Sequence, residues 1–435
     1  MRDQADVSYQ PIPVPAHLPG KLTITLWDFS WYTRTGPGEP FEDLDAAMAQ
    51  AVDRGYNTIR ICAMPFLLFG SGLDTTALEL GPLGGGYGQG TRWYDVRHTV
   101  RLDARAHLLE LFRAARRHGV VVILSSWEYQ QSSSFATDRS WFDALMAVDP
   151  EDRAVRLADA LADCCDLLAA EGLADTVTFV ELHNEVQGGY LTEGLPGREA
   201  AVLELRDRLT RGLDRFHTRH PRIPATVNYA RVPVGELRGV PANIDVGVFH
   251  PYVYGVLDEL VEGYGLREQG GGFAEERARA DLLRPGAPAF ADWRPPPGQE
   301  WRQHATIVGK PEIYVHDWCD AQAWDRRLYE GYGRHRLAML AKLDIWTAVA
   351  ADFCAGRGLP LVFGEGWIGY TPLSGGFEEG PVGAEFCRYA VRRSAEVGAW
   401  GTLVCSNAAP HHPMWRDEAL QRECNEVFRK ANVAV

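Results

Sequence analysis

Two glutamates in this chain follow short β-rich runs and have the residue type and spacing for paired acid–base chemistry. Glu185 comes just after the run Val177–Leu182, and Glu365 comes just after Pro360–Phe363. These runs are the fourth and seventh predicted strands, so in an eight-stranded barrel the two carboxylates face each other across the mouth. Glycosidic cleavage needs such a pair, because one carboxyl protonates the leaving oxygen while the other attacks or activates water.

The elements that position these glutamates alternate between short strands and longer helices, which is typical of a parallel α/β fold. The predicted strands are Leu22–Phe29, Thr58–Ala63, Val120–Ser126, Val177–Leu182, Pro224–Asn228, Ile244–Phe249, Pro360–Phe363 and Gly401–Cys405. The predicted helices are Phe41–Arg54, Ala104–His118, Arg153–Ala170, Arg198–His217, Leu337–Ala355, Ala384–Val397 and Glu418–Lys430. The helix expected after the fifth strand is poorly supported, because the segment Val232–Asn243 is too short and too proline-rich for a full helix.

Eight such units predict an α/β (β/α)8 TIM barrel, with residues 1–435 as a single catalytic domain. An open doubly wound sheet is the alternative. It is disfavoured because no strand is followed by G-x-G-x-x-G or by a phosphate-binding G-x-x-x-x-G-K-[ST] loop.

Two connections, at about 64–103 and 254–335, are far longer than a usual link between a strand and its helix. They follow strands two and six, so they lie on the face where barrel active sites form. We expect them to build pocket walls, and we expect the second to place at least one tryptophan against the sugar. A disordered insertion is the alternative for the second, but its tryptophans argue against it: Trp293, Trp301, Trp318 and Trp324.

Four short motifs resemble those of clan A glycoside hydrolases, particularly the cellulase-like, family 5-type enzymes. They are Asn57–Arg60 on strand two, Asn184-Glu185 on strand four, His250–Tyr252 on strand six and Glu365 on strand seven. The motifs fall in order on the expected strands, so the resemblance spans roughly residues 22–405. It implies a (β/α)8 fold and a substrate-binding position for His250.

The resemblance also implies roles for individual side chains. Glu185 is expected to be the general acid/base and Glu365 the nucleophile of a retaining reaction. Asn184 is expected to bind the sugar 2-hydroxyl, and Tyr252 to donate a hydrogen bond to Glu365. Arg60 is expected to lie beside Glu365 and lower its pKa by opposite charge.

The sequence departs from the family pattern at two strand ends. Strand eight ends in Ser406–Ala408 where a tryptophan is usual, and Trp367 or Trp415 could supply that surface instead. Strand three ends in Ser125–Glu128 where a histidine is common. Trp127 in this segment is expected to stack on a sugar.

Two further carboxylates compete with the pair. Glu181 lies within an apolar strand, where a carboxylate is costly to bury unless it is paired. A structural ion pair with Arg60 or a polar group of strand three is favoured over a direct catalytic role. Glu128 lies on the same face of the barrel, but no motif surrounds it.

Other polar and aromatic residues have two interpretations each. Trp27 and Asp28 follow strand one and could contact the terminal sugar, although core packing explains Trp27 equally well. His411 and His412 lack ligand-spaced partners, so we expect surface histidines and no metal or other cofactor. A serine hydrolase is excluded because G-x-S-x-G does not occur.

The composition excludes several partner classes. A net charge of −14 argues against nucleic acid and anionic membranes, which select basic surfaces. The first residues lack the apolar segment of a secretory signal, and no stretch of 18 apolar residues occurs, so a cytoplasmic protein without a membrane span is expected. A mature exported form whose signal has been removed is the alternative. Its eight cysteines are expected to be reduced.

These observations predict a retaining, exo-acting O-glycoside hydrolase whose partner is a carbohydrate. A cellulase-like sugar-binding protein without turnover and a transglycosylase using the same site are the alternatives. The intact glutamate pair weighs against the first alternative, because a binding protein needs no matched acid and nucleophile.

Overall fold

The computed structural model describes residues 9–84, 86–195, 198–267, 272–369 and 371–431. Its strands are β1 Leu22–Asp28, β2 Thr58–Cys62, β3 Leu78–Leu80, β4 Val100–Leu102, β5 Val121–Ser125, β6 Val177–Glu181, β7 Ala225–Thr226, β8 Asn228–Ala230, β9 Gly247–His250, β10 Leu361–Phe363 and β11 Gly401–Leu403. Its longer helices are α2 Leu44–Asp53, α3 Ala104–Arg117, α5 Arg153–Ala170, α7 Arg206–Arg219, α8 Val256–Tyr264, α11 Lys310–Trp318, α12 Ala321–Arg357, α13 Pro381–Glu396 and α14 Glu418–Lys430. The shorter ones are α1 Ser30–Thr33, α4 Ser140–Met146, α6 Arg198–Glu204, α9 Glu275–Asp281 and α10 Trp301–His304.

Nine short parallel strands form a nearly closed barrel in the order β7-β6-β5-β2-β1-β11-β10-β9-β8. β7 and β8 are two halves of the predicted fifth strand, interrupted at Val227, and they pair with β6 and β9 respectively. Chain continuity across Val227 therefore joins the two ends of the sheet. The predicted (β/α)8 barrel is confirmed, and its strands are buried on both faces by side chains inside and helices outside.

The amphipathic helices around the barrel follow the sequence pattern closely. α5 and α14 have the predicted bounds, and α3 ends one residue early. Aspartates cap several of these helices: the Asp103 carboxylate accepts a hydrogen bond from the Ala106 N–H at the start of α3. Two predictions were wrong in detail. The predicted helix Arg198–His217 divides into α6 and α7 at Leu205, and α12 begins at Ala321 rather than at Leu337.

The early start of α12 has a local cause. The Asp320 side chain accepts hydrogen bonds from the N–H groups of Gln322 and Ala323, which is a standard N-terminal cap. The first turns of this 37-residue helix are polar on several sides, so its apolar periodicity is weak there. No other helix of the described segments is longer, and none of them is long and apolar enough to cross a membrane.

The two long connections lie over the carboxyl ends of the strands. The first, after β2, contains a π-helical turn at Phe66–Gly70 and the antiparallel pair β3–β4. The second, after β9, contains α8 to α11 and the first turns of α12, so more than half of its described part is helical rather than an extended loop. Residues 268–271 of this connection are outside the described part of the chain.

Candidate active site

A pocket of about 460 Å³ opens at the carboxyl ends of the barrel strands. Its floor comes from residues that end β1, β6, β9 and β10, and one wall comes from the second long connection. The lining side chains include Asp28, Phe29, Trp93, Trp127, Gln131, Asn184, Glu185, Arg231, Tyr252, Tyr254, Arg267, Val308, Glu312 and Glu365. Both predicted glutamates therefore face one cavity.

Glu185 and Glu365 lie close together in this pocket. A carboxylate oxygen of each and a ring nitrogen of His250 all lie within 4.8 Å of one another. His250 Nδ1 is 3.2 Å from Glu185 Oε1 and 3.7 Å from Glu365 Oε1. His250 is completely buried and does not line the pocket, so it contacts the two carboxylates and not, as predicted, the substrate position. Glu185 has a positive φ of 41°, which is uncommon for a residue with a side chain and directs it off the end of β6.

Arg60 connects the pocket to the barrel interior. Its guanidinium donates from Nη1 to Glu365 Oε1 at 2.8 Å and from Nη2 to Asn184 Oδ1 at 2.7 Å. It also donates from Nε and Nη2 to Glu181 Oε2, at 2.9 and 2.7 Å. Arg60 and Glu181 are completely buried, so the predicted structural ion pair is present and Glu181 does not line the pocket.

A chain of hydroxyl groups holds the other oxygen of Glu365. Tyr252 donates its hydroxyl proton to Glu365 Oε2 at 2.8 Å, so at 2.6 Å it accepts from the Ser406 hydroxyl. The Ser406 oxygen in turn accepts from the Gly366 N–H at 3.0 Å. Ser406 stands where the family pattern has tryptophan, and sequence reasoning missed its role. Its position at the end of the eighth strand was the available signal.

Burial dominates the electrostatics of Glu365. Burial raises the pKa of this carboxyl above its ordinary value, while His250, Arg60 and the Tyr252 hydrogen bond act in the opposite direction. Arg60 therefore opposes the rise, as expected, but the predicted net lowering is wrong because desolvation is the larger effect. Burial also lowers the pKa of His250 to about 4, so this histidine is neutral near pH 7.

Some of the predicted tryptophans line the pocket and others do not, depending on the direction in which each side chain points. Trp127 lines the pocket and lies over Arg60, with the guanidinium carbon 4.6 Å from the ring centroid. Trp27 and Trp367 do not line it, which corrects their expected substrate contacts. Trp27 alternates with Leu26 and Asp28 and so points outward, against Phe41, because successive strand residues face opposite sides.

Trp367 and Trp415 do not replace the missing strand-eight tryptophan. The Trp367 indole N–H donates to the Val404 carbonyl in the core, and Trp415 stacks on Tyr56. Trp93, in the first long connection, is one of the aromatic residues that line the pocket. No sequence motif marked this residue.

The second long connection walls the pocket without a tryptophan. Its lining residues are Leu266, Arg267, Ile307, Val308, Gly309, Pro311 and Glu312. Trp293 instead stacks on Tyr87 with ring centroids 4.4 Å apart, and Trp324 packs edge-on against His316. The predicted wall is present, but the predicted tryptophan contact is wrong, because these rings join the two connections to each other and to α12.

Glu128 is a structural carboxylate and does not line the pocket. It accepts from the N–H groups of Phe66 and Leu67 at 2.9 and 2.7 Å and from the Trp141 indole at 3.2 Å. It thereby fixes the first connection over the barrel. Burial raises its pKa to about 7.

His411 and His412 are buried, so their prediction as surface histidines is wrong. They lie beside the barrel mouth, where His411 Nε2 is 3.4 Å from Asp28 Oδ2. Asp28 lines the pocket, as its position after strand one predicted.

Of the described residues, Glu185, His250 and Glu365 form the one group with ligand atoms close enough to hold a metal ion. The Arg60 guanidinium lies 2.8 Å from Glu365 Oε1. Its positive charge already offsets the negative charge of the carboxylates that a metal cation would neutralise. The hydrogen bonds of Arg60, Tyr252 and His250 account for the arrangement of the two carboxylates.

The barrel and the paired carboxylates at its mouth define the class of cellulase-like (β/α)8 proteins. The family described as sugar-binding cellulase-like matches residues 24–265, more than half of the chain. The chain belongs to this cellulase-like family. No curated protein matches it in sequence.

Several solved structures are similar to this chain at low sequence identity. A provisionally assigned glycoside hydrolase from Parabacteroides distasonis is 19% identical, with a TM-score of 0.67 over 96% of this chain and 95% of that one. GH5_18 from Bifidobacterium longum is 14% identical, with a TM-score of 0.49 over 95% and 81%. The β-mannanase of the blue mussel Mytilus edulis is 11% identical, with a TM-score of 0.43 over 95% and 93%. The likeness to the Parabacteroides structure supports the shared fold.

Proposed function

We propose that this protein is a retaining O-glycoside hydrolase in which Glu365 is the nucleophile and Glu185 the general acid/base. The observation that carries the proposal is the oxygen-to-oxygen separation of no more than 4.8 Å between the two carboxylates. Retaining enzymes hold their carboxyl groups about 5–5.5 Å apart, whereas inverting enzymes leave roughly 6.5–9.5 Å for a water molecule. The short separation favours direct attack by a carboxylate.

The surroundings of the two glutamates support different roles. Both oxygens of Glu365 accept hydrogen bonds, from Arg60 and Tyr252, and these stabilise its ionised form. Glu185 is more exposed, with 18% of its side chain accessible, and contacts neutral His250. A leaving oxygen and later a water molecule can therefore reach Glu185.

The reaction then proceeds in two displacements. Glu365 attacks the anomeric carbon and forms an ester bond to it, while the bond to the leaving oxygen breaks and Glu185 gives that oxygen its proton. Glu185 next takes a proton from water, whose oxygen attacks the same carbon and releases Glu365. Asn184 lines the pocket beside both groups, in a position to bind the sugar 2-hydroxyl.

We also propose exo action on oligosaccharides or small glycosides. The two connections supply Trp93 on one side and Arg267 and Val308 on another, so the site is a walled pocket rather than an open groove. Both connections contribute to one cavity, which supports a single catalytic domain over residues 1–435. The family's sugar-binding description supports a carbohydrate substrate.

Two alanine variants test the assignment with dinitrophenyl glycosides of several sugars. Glu365→Ala should lose activity for every leaving group. Glu185→Ala should keep a fast first step, accumulate the glycosyl-enzyme and be accelerated by azide, which attacks without a general base. A mechanism-based fluorosugar should label wild-type protein at Glu365.

Glu171→Ala is the matched control, because Glu171 does not line the pocket and pairs with Arg113 at the surface, with 38% of its side chain exposed. It should keep wild-type turnover and, like wild type, show no acceleration by azide. Label on another carboxylate, or a first product with inverted anomeric configuration, would overturn the assignment. Sugar binding without release of dinitrophenolate from any substrate would instead favour a binding protein.

A further inference from the structure

The pocket wall beside Glu185 carries an arginine whose charge has no partner. Arg231 follows β8, lines the cavity and is exposed to it. Within the described ranges of the chain, its guanidinium forms no hydrogen bond or ion pair. A guanidinium has five N–H donors, accepts nothing and stays charged at every ordinary pH. It pairs most strongly with an oxyanion, whose oxygens match its planar fork.

The backbone holds Arg231 at the mouth of the barrel. Its φ is +69°, which is uncommon for a residue with a side chain and persists only where the surrounding structure enforces it. The Arg231 N–H donates to the His250 carbonyl at 2.7 Å. The Gln187 amide fixes the preceding residue, because it donates to the Ala230 carbonyl at 2.6 Å and accepts from the Ala230 N–H at 3.3 Å. Arg231 is therefore placed by the same strand ends that place Glu185 and His250.

This wall lies on the leaving-group side of the pocket. Glu185 protonates the leaving oxygen in the proposed reaction, so the leaving group lies beside it. Glu185 follows β6, and β7 with β8 is the next strand around the barrel. The Glu185 N–H donates to the Asn228 side chain in β8 at 2.6 Å, three residues before Arg231. Arg231 is therefore a neighbour of the leaving group.

Tyr254 adds a hydroxyl donor to this wall. It lines the pocket, and its hydroxyl has no hydrogen-bond partner among the residues for which the structure gives a position. The Arg267 guanidinium carbon lies 5.0 Å from the centroid of its ring. Burial raises the pKa of Tyr254, and the charges of Arg267 and Arg231 act in the opposite direction, so both arginines lie near this ring.

The acidic side chain Glu312, on the same wall, is already neutralised. It accepts from Arg267 Nε at 3.0 Å and from Arg267 Nη2 at 2.9 Å, and only 3% of its side chain is exposed. The charge of Arg231 therefore stays uncompensated on this side. A neutral leaving group would offer Arg231 hydrogen bonds only, whereas an anion adds a Coulomb attraction. The whole chain carries a net charge of −14, so a local positive charge is what allows an anion to enter.

We infer that Arg231, together with Tyr254 and Arg267, forms an oxyanion-binding subsite for the leaving group. The preferred substrates then release a sugar or aglycone that carries a carboxylate, a sulfate or a phosphate. This inference rests on the proposed glycosidase function. It adds the charge of the departing part of the substrate, which the two glutamates do not select.

The test uses nitrophenyl glycosides whose ring carries a carboxylate, a sulfonate or a phosphonate, each paired with its neutral ester. The measured quantity is the ratio of kcat/KM for the anion to kcat/KM for the ester. Comparing this ratio in wild type and Arg231→Met cancels the difference in chemical reactivity between the two leaving groups. A hydrogen bond to a charged group changes kcat/KM by about 10- to 150-fold, and solvent screening of an exposed arginine favours the lower end.

We expect the ratio to fall about 10-fold in Arg231→Met for at least one of the three anions, and the largest fall identifies the anion that the subsite fits. Arg231→Lys should keep part of the ratio, because it retains the charge and loses the planar fork. Arg238→Met is the matched control. Arg238 is also exposed and also follows β8, but it does not line the pocket, so its loss should leave the ratio and kcat/KM unchanged.

Three outcomes count against the inference or the proposed function. If the ratio is the same in wild type and Arg231→Met for all three anions, the subsite is wrong and the glycosidase assignment stands. An equal loss of kcat/KM on anions and esters has the same meaning, because Arg231 would then contact the leaving group without selecting its charge. If wild type releases no nitrophenolate from any sugar, the glycosidase assignment fails. Calorimetric titration of the same uncleaved pairs into wild type and Arg231→Met then decides the role of Arg231 by the ratio of Kd values.

Discussion

Replacing Arg60 with methionine removes a cation that contacts both Glu181 and Glu365. The guanidinium and Glu181 are completely buried, and Glu365 is nearly so. The substitution keeps most of the apolar stem volume but leaves two carboxylates in the barrel without their shared partner. We therefore expect a large loss of stability from the charge alone.

The structure sets the size of this loss. The N–O distances are 2.7 Å to Glu181 and 2.8 Å to Glu365, so the charge centres are about 4 Å apart. Each such pair interacts by about 4 kcal/mol at an effective dielectric constant of 20. The cost of removing the guanidinium from water offsets part of these two interaction energies. Removing one partner of a buried pair costs about 3–5 kcal/mol. We expect the free energy of unfolding to fall by this amount at pH 8.

Equilibrium unfolding in urea at pH 8 and pH 5 measures the effect. The loss should shrink at pH 5, because protonation of the orphaned carboxylates removes the buried charge. The double variant Arg60→Met with Glu181→Met should recover part of the stability. Arg113→Met is the matched control: Arg113 also contacts a glutamate at 2.7 Å, but its side chain is 45% exposed, so the unfolding midpoint should barely move.

A fall of less than about 1 kcal/mol for Arg60→Met at pH 8 would refute this reasoning, since buried pairs broken on one side cost several times more. So would a loss that is independent of pH, because it would show that packing and not charge is responsible.

Three further predictions concern the pocket and its supports. Tyr252→Phe should move the acid limb of kcat/KM to higher pH, because the Tyr252 hydrogen bond lowers the pKa of Glu365 and its removal lets that pKa rise; an unmoved limb would contradict this. Burial raises the pKa of Glu128 to about 7 from an ordinary 4.5, so its contribution to stability is complete below pH 4.5 and is lost as the pH rises to 7. Urea unfolding across this range should show a smaller decline for Glu128→Gln than for wild type. Trp93→Ala should raise KM, because it removes an aromatic wall of the pocket, whereas Trp293→Ala, which loses a stacking partner outside the pocket, should lower the unfolding midpoint and leave KM unchanged.

Local patterns in the sequence were enough to predict the barrel. Strand and helix periods depend on neighbouring residues, and α5 and α14 begin and end where those periods do. The long α12 was predicted too short because its first turns depend on the cap at Asp320 and not on an apolar stripe.

The core of the candidate site was also predictable, because it lies on strands. Strand ends of a parallel barrel converge at one mouth, so Arg60, Glu185 and Glu365 had to meet once their strands were recognised. The cost of burying an isolated carboxylate predicted a partner for Glu181, and of the two candidates, Arg60 and a polar group of strand three, the structure pairs it with Arg60.

The tertiary structure decided everything that depends on how distant segments pack. Whether Trp93 or a tryptophan of the second connection reaches the pocket is set by the fold of those connections, which have no regular period. The links from Ser406 to Tyr252 and from His411 to Asp28 join residues more than 150 positions apart. Such contacts depend on side-chain direction at strand ends, where a one-residue bulge or a positive φ redirects a residue from the core to the pocket.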